Sequence, residues 1–406
     1  MSVNSLNFEQ ISTVLTSIVQ QATGQIVETP TDTGSFVSIA QVALRTDKDA
    51  VMDAISNILT RTIFSIRPYS AKMAGLEMDT FRWGGMMRKL SIADSAWQDD
   101  PAYKYPVFYD ANQVPPTGDG LEVDPWKIKK PNVLQTNFYG QSIYYDSMTI
   151  TEDQLETAFT GPEQLGSFLS LLMTNLSNRL EMSNESIRRG LVCNAIGSLY
   201  DEGNTDRVIH LLTEYNTLTG QSYTKQQIYD PANFGSFTKW MFSRVAEITD
   251  LFTANSTMFQ TEITGKPILR HTPYEFQKVY LYSPFKRQMD SRVLADTYHD
   301  NYLKWADVET IPYWQSINSR DKVSVFPAYT DNTGTLVYDT TPGNEVEVED
   351  VVGLIFDRDC MGMTTLDRRV LSTRVNEAGL YRNIHVHCKQ RVVFDNTEKA
   401  ALLLLD

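Results

Sequence analysis

The sequence lacks what would make it a membrane, secreted or redox protein. No run of about 18 apolar residues occurs, so no segment reads as a membrane-spanning helix. The opening residues, Met1-Ser2-Val3-Asn4-Ser5-Leu6-Asn7-Phe8-Glu9, have neither the basic nor the apolar part of a secretion signal, and synthesis and folding are expected in the cytosol. Cysteine is scarce. Cys193, Cys360 and Cys388 stand far apart with no Cys-x-x-Cys pair, which argues against a disulfide framework or a zinc ribbon and leaves buried thiols as the expectation. Asn175-Leu176-Ser177 fits a glycosylation acceptor, but it lies in a helical pattern of a chain without a secretion signal and carries no weight.

Basic stripes are also missing. The formal charge is −14, and broad nucleic-acid affinity needs Lys and Arg to displace phosphate counterions. Lys127-Ile128-Lys129-Lys130 and Asp367-Arg368-Arg369 are short and sit beside acidic residues, as solvated or interface charges do. Such an acidic protein can enclose DNA without sticking to it. The familiar catalytic signatures are absent: no GxxxxGKS/T loop, no GxSxG elbow, no HExxH helix. Gly118-Asp119-Gly120 is followed by Leu121 to Pro125, which cannot open the helix of a dinucleotide site, so it reads as a turn. His385 and His387 share one face of a strand while Cys388 points away, and the expected role is an interface rather than a metal. Asp357 and Asp359 are expected to cap the following element rather than to form an acid/base pair. No cofactor, no metal and no enzymatic activity are expected.

What the chain does contain is a long stretch, Thr80–Asp146, rich in aromatics and proline and without lasting helical period. Strand-like ends, Phe81–Leu90 and Leu134–Tyr145, flank a middle of turns around Val114–Gly120. Such a segment makes no core of its own, and a loop this long is out of place in a compact enzyme. It reads as an arm that lies on a neighbour. Between Pro101 and Lys130 four Lys face four Asp/Glu, a balance that favours register over raw affinity. Trp97, Tyr103, Tyr105, Phe108, Tyr109 and Trp126 are expected as interface anchors, with Lys127, Lys129 and Lys130 beside them.

Around the arm the patterns alternate. Residues 1–45 show one amphipathic stretch, Ile11–Val19, then a turn-rich passage through Pro30 and Gly34, and read as a terminal arm ordered where something holds it. Asp47–Ile63 is a short amphipathic helix. Thr151 opens a helical region. Gly161-Pro162 opens a longer one with Leu165, Phe168, Leu169, Leu172, Met173, Leu176, Leu180, Ile187 and Leu191 at helical spacing; from Pro162 to Arg189 it would span about 42 Å. Asp201–Asp230 is polar and turn-rich. Phe234–Ala254 is a helix, followed by an α/β rhythm: strand Val279–Tyr282, helix Pro284–Tyr298, strands near Val308–Ile311 and Val323–Phe326, a loop Ala328–Asn344, and strand Val351–Phe356. Tyr381–Phe394 alternates as a long strand, and Ala400–Leu405 closes the chain.

This order of pieces resembles the tailed-phage major capsid protein, the Hong Kong-type shell fold. Phe138-Tyr139-Gly140-Gln141-Ser142-Ile143 running into Asp146-Ser147 and Leu155–Phe159, and Gly379-Leu380-Tyr381 leading into the final long strand, look like head proteins of small podophages with protein-primed genomes. The resemblance implies an α+β chain with an N-terminal arm and short helix (1–66), a P-domain strand and E-loop (67–160, arm 78–146), a spine helix (161–203), an α/β A-domain (204–375) and a P-domain return strand (376–406). With Asp406 so close behind the last strand, no immunoglobulin-like C-terminal domain is expected.

It further implies a shell of many copies, in hexamers and pentamers, enclosing double-stranded DNA, with scaffolding and portal proteins as partners, no membrane, assembly in the bacterial cytoplasm and residence in the virion. Loops near Ala328–Asn344 would meet around capsomer axes. Some family members cross-link a loop lysine to a neighbour's asparagine; no such bond is expected here. Two alternatives stand beside this reading: an encapsulin-like compartment of the same fold, and a monomeric carbohydrate-binding or hydrolytic protein using the arm's aromatics.

Overall fold

The computed structural model describes residues 8–46, 50, 51, 54, 55, 72–78, 86–93, 126, 132–139, 142–264, 266, 268–292 and 307–406. Along the chain its elements are α1 (Phe8–Thr23), α2 (Thr33–Thr46), β1 (Met86–Ala93), β2 (Asn132–Tyr139), β3 (Ser142–Thr151), α3 (Glu152–Ala158), α4 (Pro162–Asp201), β4 (Val208–His210), α5 (Leu211–Thr219), α6 (Lys225–Ile228), α7 (Pro231–Thr253), β5 (Gln277–Tyr282), α8 (Ser283–Arg292), β6 (Asp307–Ile311), β7 (Val323–Val325), β8 (Ala328–Thr330), β9 (Leu336–Tyr338), β10 (Val346–Val348), β11 (Val351–Asp357), β12 (Met361–Ser372), β13 (Tyr381–Phe394) and β14 (Ala400–Leu404).

The long helix α4 has 40 residues, hence a length of about 60 Å. It starts where Gly161-Pro162 predicts, with proline in the first turn, and it continues twelve residues past Arg189 to end at Asp201, within the expected spine segment 161–203. A glycine inside a helix costs about 1 kcal/mol relative to alanine, and Gly190 would be a natural stop. Burial overrides it: Leu191, Val192, Ala195, Ile196 and Leu199 all pack into the core of the five-stranded sheet. The first half of α4 packs elsewhere. Leu165 and Leu169 join Ile11, Leu15 and Ile18 of α1, Phe36 and Ala40 of α2, and Ile150 and Ile384 of two strands. Gly166 permits this approach, because a Cβ there would lie 2.7 Å from the Ile11 Cδ1 atom. The turn-rich passage expected near Gly34 therefore contains a second helix, whose small residues pack closely on the first.

The five-stranded sheet runs β4-β14-β11-β5-β6, with β14 parallel to β4, β5 parallel to β6 and antiparallel pairing between. Every residue of β11 and β14 is buried, because both sheet faces are covered. Leu354, Phe356, Leu402 and Leu404 meet the end of α4; Val352, Ile355, Ala401 and Leu403 meet Phe237, Met241, Val245 and Ile248 of α7. A strand covered on both sides reads as a continuous apolar run rather than an alternating one. Gly353 marks a bulge in the pairing with β14; a Cβ there would sit 2.8 Å from Leu281 Cδ2 and 3.0 Å from the Tyr280 carbonyl oxygen.

The second sheet, β12-β13-β3, is antiparallel. The ladders show which sheet two of the expected segments join. Residues 361–372, expected in the A-domain, pair with β13 in this sheet; residues 400–404, expected with the return strand, lie inside the five-stranded one. The chain crosses between the sheets at both places, and pairing partners distant in sequence decide which sheet a strand joins. The polar passage 201–230 also holds β4, α5 and α6, which short apolar pairs such as Leu211-Leu212 bury. The limb expected as Leu134–Tyr145 divides: β2 pairs with β1, whereas β3 pairs with β13.

Candidate assembly surface

β1 and β2 form a two-stranded antiparallel hairpin stem, with Lys89 opposite Thr136, Ser91 opposite Leu134 and Ile92 opposite Val133. Alternation along a strand gives it two unlike faces. The face bearing Lys89, Ser91 and Leu134 lies against the body. The Leu134 side chain is buried with Ile268, and Ile263 packs on the pair; Arg270 Nη2 donates to Ser91 Oγ at 3.2 Å; Lys266 Nζ donates to the Val133 carbonyl at 3.1 Å. The opposite face leaves Leu90, Ile92 and Val133 exposed, at 62%, 64% and 40%, so it presents apolar surface to whatever approaches.

The body side of this contact is the turn Asp395-Asn396-Thr397-Glu398-Lys399 between β13 and β14, five polar residues that are all buried. Lys89 Nζ meets Asp395 Oδ2 at 2.5 Å and also Glu398. Arg270 Nη1 reaches Glu398 at 2.6 Å and its Nη2 donates to Thr397 Oγ1 at 3.1 Å. Two cations thus face two carboxylates. Burial would raise Asp395, but Lys89 and the Thr397 hydroxyl and amide outweigh it and hold its carboxyl below the usual 3.8. For Glu398 burial wins and pushes the carboxyl up. Burial lowers Lys89, yet the two carboxylates outweigh it and the ammonium is raised. Asp395 is accordingly the firmly ionised partner of Lys89.

The same turn holds other parts of the body. Asn396 Nδ2 donates to the Thr330 carbonyl at 2.6 Å and to Thr261 Oγ1 at 2.8 Å. Lys399 Nζ donates to the carbonyls of Phe252 and Ala254 at the end of α7, at 3.2 and 2.7 Å, a cation placed where a helix end favours one. Sequence reasoning passed over this turn. Its only signal is five polar residues between the apolar runs Val392–Phe394 and Ala400–Leu405, which reads as an exposed loop until its partners are seen.

Of the arm residues expected at an interface, Trp126 is described and is 85% exposed. Trp97, Tyr103, Tyr105, Phe108, Tyr109, Lys127, Lys129 and Lys130 lie outside the described residues. His385 and His387 stand side by side on β13, ring centroids 6.3 Å apart, with Tyr145 stacked on His387 at 6.0 Å. Cys388 points to the other side and is buried with Leu176 and Val386. Among the described residues no third His, Cys, Asp or Glu joins a metal-binding group. Asp357 caps a turn rather than a helix: it accepts from the Asp359 amide at 2.8 Å and from Thr272 Oγ1 at 2.7 Å. A cleft of about 280 Å³ opens between α4 and the three-stranded sheet, lined by Tyr144, Arg179, Met182, Asn184, Val386 and Gln390 among others.

A family model described as Phi29-like phage major capsid protein matches residues 17–404. The chain belongs to this family. This capsid protein is a structural subunit of a phage head shell, and family membership displaces both the encapsulin-like and the monomeric alternatives. Its mixed architecture is the Hong Kong-type capsid fold, and solved structures share it at low identity. The capsid of Staphylococcus phage Andhra aligns at a TM-score of 0.52 and 9% identity over 85% of this chain and 86% of that one. A chain in the structure of head fiber and inner core protein gp22 of native bacteriophage P68 aligns at 0.50 and 9% over 84% and 87%. No curated protein matches. For a capsid protein the surfaces that matter are those that meet another copy, and the hairpin stem combines a held inner face with an open apolar outer one.

Proposed function

We propose that the β1–β2 stem carries residues 94–131 as an inter-subunit arm, the E-loop of this capsid protein, and that Trp97, Tyr103, Tyr105, Phe108, Tyr109 and Trp126, with Lys127, Lys129 and Lys130, contact a neighbouring copy. The observation that carries this reading is the two-faced stem. A two-stranded sheet is marginal in water by itself, and this one has no third strand among the described residues. Its inner face is occupied by its own body, so Leu90, Ile92 and Val133 are free to be covered by a second copy. In a shell, several such modest contacts act together as a multivalent system.

The long helix α4 serves as the spine, the β12-β13-β3 sheet with α1 and α2 as the P-domain, and the five-stranded sheet with its helices as the A-domain. The β8–β9 tongue, with Leu336 and Tyr338 exposed, contacts neighbours around capsomer axes. Copies assemble as hexamers and pentamers in the host cytoplasm, with scaffolding and portal proteins, around double-stranded DNA, without catalysis. The charge of −14 suits a container that does not bind its contents tightly. Deletion of residues 100–130 tests the arm: the expected product is a folded, soluble subunit that builds no stable shells by electron microscopy. Normal particles from that deletion would remove the role given to the arm.

A further inference from the structure

The β1–β2 stem and the β8–β9 tongue are far apart in sequence, but one short turn bonds to both; β8 is also held to α4, through Asn194 on the Ala328 backbone and through Tyr329 on Asp201, and the stem also to Lys266 and Arg270. Lys89 of β1 meets Asp395 and Glu398, and the carbonyl of Thr330, the last residue of β8, accepts from Asn396. Lys399, the fifth residue, fastens the turn to the end of α7, and Asp395 N donates to the Cys360 carbonyl at 2.7 Å. The turn is therefore anchored in the body on both sides while its middle grips both projections. Each projection carries exposed apolar side chains, Leu90 and Ile92 on one and Leu336 and Tyr338 on the other.

We propose that the buried turn Asp395–Lys399 is the positioning element of shell assembly, fixing the arm root and the tongue in one frame so that both meet neighbouring copies at set angles. This rests on the reading of the stem as an inter-subunit arm. The physical case is the type of contact used. Apolar contact is non-directional, and among the described residues Leu134, Ile268 and Ile263 hold the stem that way. The ionic and hydrogen-bonded contacts specify distance and direction, and a buried ion pair is best justified where it fixes geometry rather than adds stability. Lys89, Arg270, Asp395 and Glu398 balance in charge, so none is left uncompensated while the stem is seated. Lys89, Arg270 and Asn396 are accordingly positioning residues, acting through the turn on surfaces that touch the neighbour.

The test uses the full chain in three forms, Lys89→Met, Asn396→Ala and Lys89→Arg, with shell yield read by electron microscopy and local opening by amide hydrogen exchange. Lys89→Met is expected to raise exchange across β1 and β2 by about tenfold or more while the five-stranded sheet stays protected, since local opening is governed by local contacts. Asn396→Ala is expected to raise exchange in β8 and β9 by a smaller factor and to leave the stem closed, since Asn194 and the Tyr329–Asp201 bond still hold β8 to α4. Both should reduce shell yield at an unchanged melting temperature of the body, and Lys89→Arg, which keeps the charge, should restore the yield. A stem that opens while shells form normally overturns the inference, as does a stem whose exchange does not change. If Lys89→Met fails to fold, the isosteric Asp395→Asn, which neutralises the ionised partner of Lys89, is measured in its place, with the same stem-specific opening required. The deletion of 100–130 is read separately: normal shells from it remove the arm reading, whereas normal shells from an opened Lys89→Met stem remove only the role of the turn.

Discussion

The five-stranded sheet and the β1–β2 stem belong to one chain, yet the sheet is held by apolar area and the stem by charge and hydrogen bonds. In the sheet, β11 and β14 bury every residue between α4 and α7. In the stem, one apolar contact at Leu134 is joined by Lys89, Ser91 and the Val133 carbonyl, each bound to a named polar group. The difference lies in the kind of contact each part uses. A sheet that never leaves its place gains most from area, which stabilises by about 25 cal/mol per Å² whatever the angle of contact. The stem is held by contacts that specify distance and direction, and its other face keeps Leu90, Ile92 and Val133 exposed.

The comparison can be broken most severely at the sheet. Phe356 is fully buried against Tyr280, ring centroids 5.0 Å apart, and Phe356→Ala is expected to cost about 3–5 kcal/mol of unfolding free energy by denaturant titration. A loss comparable to that of an exposed site would mean that the sheet is not the seat of stability. Acid probes the stem with a smaller effect. Since the folded-state pKa of Asp395 is depressed, its contribution to stability is complete above the unfolded value and is lost as pH falls through the folded one. The stem is therefore expected to open before the sheet as pH drops below 3.8, read by amide exchange. Glu398, raised by burial, takes up its proton earlier and without loss of global stability, because the folded chain binds that proton more readily than the unfolded one. A sheet that opens as early as the stem contradicts the comparison.

The smallest effect is expected at the thiols. Burial pushes Cys193 up to about 12 and raises Cys360 and Cys388, and only the thiolate reacts readily. A thiol reagent at about pH 8 should label none of the three in the native subunit and all three after unfolding. The same silence is expected in Lys89→Met, whose opened stem leaves the body closed. Labelling of that variant would show that the two regions are not independent.

Much of the fold was legible because burial prints a period on the sequence. Leu165 to Leu191 at helical spacing marks α4, Tyr381–Phe394 alternates as β13 does, and Val351–Phe356 runs apolar because both faces of β11 are covered. Pro162 and Thr151 stand at real helix starts, the latter with a capping box to Gln154. What escaped was structure whose partners are remote. The end of α4 beyond Gly190 is helical because a sheet waits for it; α2 exists because α1 and α4 cover Phe36 and Ala40; Met361–Ser372 joins β13 rather than the strand just before it. The candidate site was legible only in part: the strand-like flanks Phe81–Leu90 and Leu134–Tyr145 overlap β1 and β2, but a buried Asp-Asn-Thr-Glu-Lys looks like any surface turn.

The sequence by itself determined that this is an acidic α+β chain with a long helix and an aromatic, proline-rich stretch between strand-like flanks, because composition and period depend only on the local chain and the solvent it avoids. Tertiary structure alone decided which strands share a sheet, where the arm's stem seats, and that Lys89, Arg270, Asp395 and Glu398 meet. Those four charges lie up to 309 residues apart, and each is an ordinary surface residue until the fold removes water from all of them together. Burial and pairing are properties of that shared volume, and no local stretch of the chain contains them.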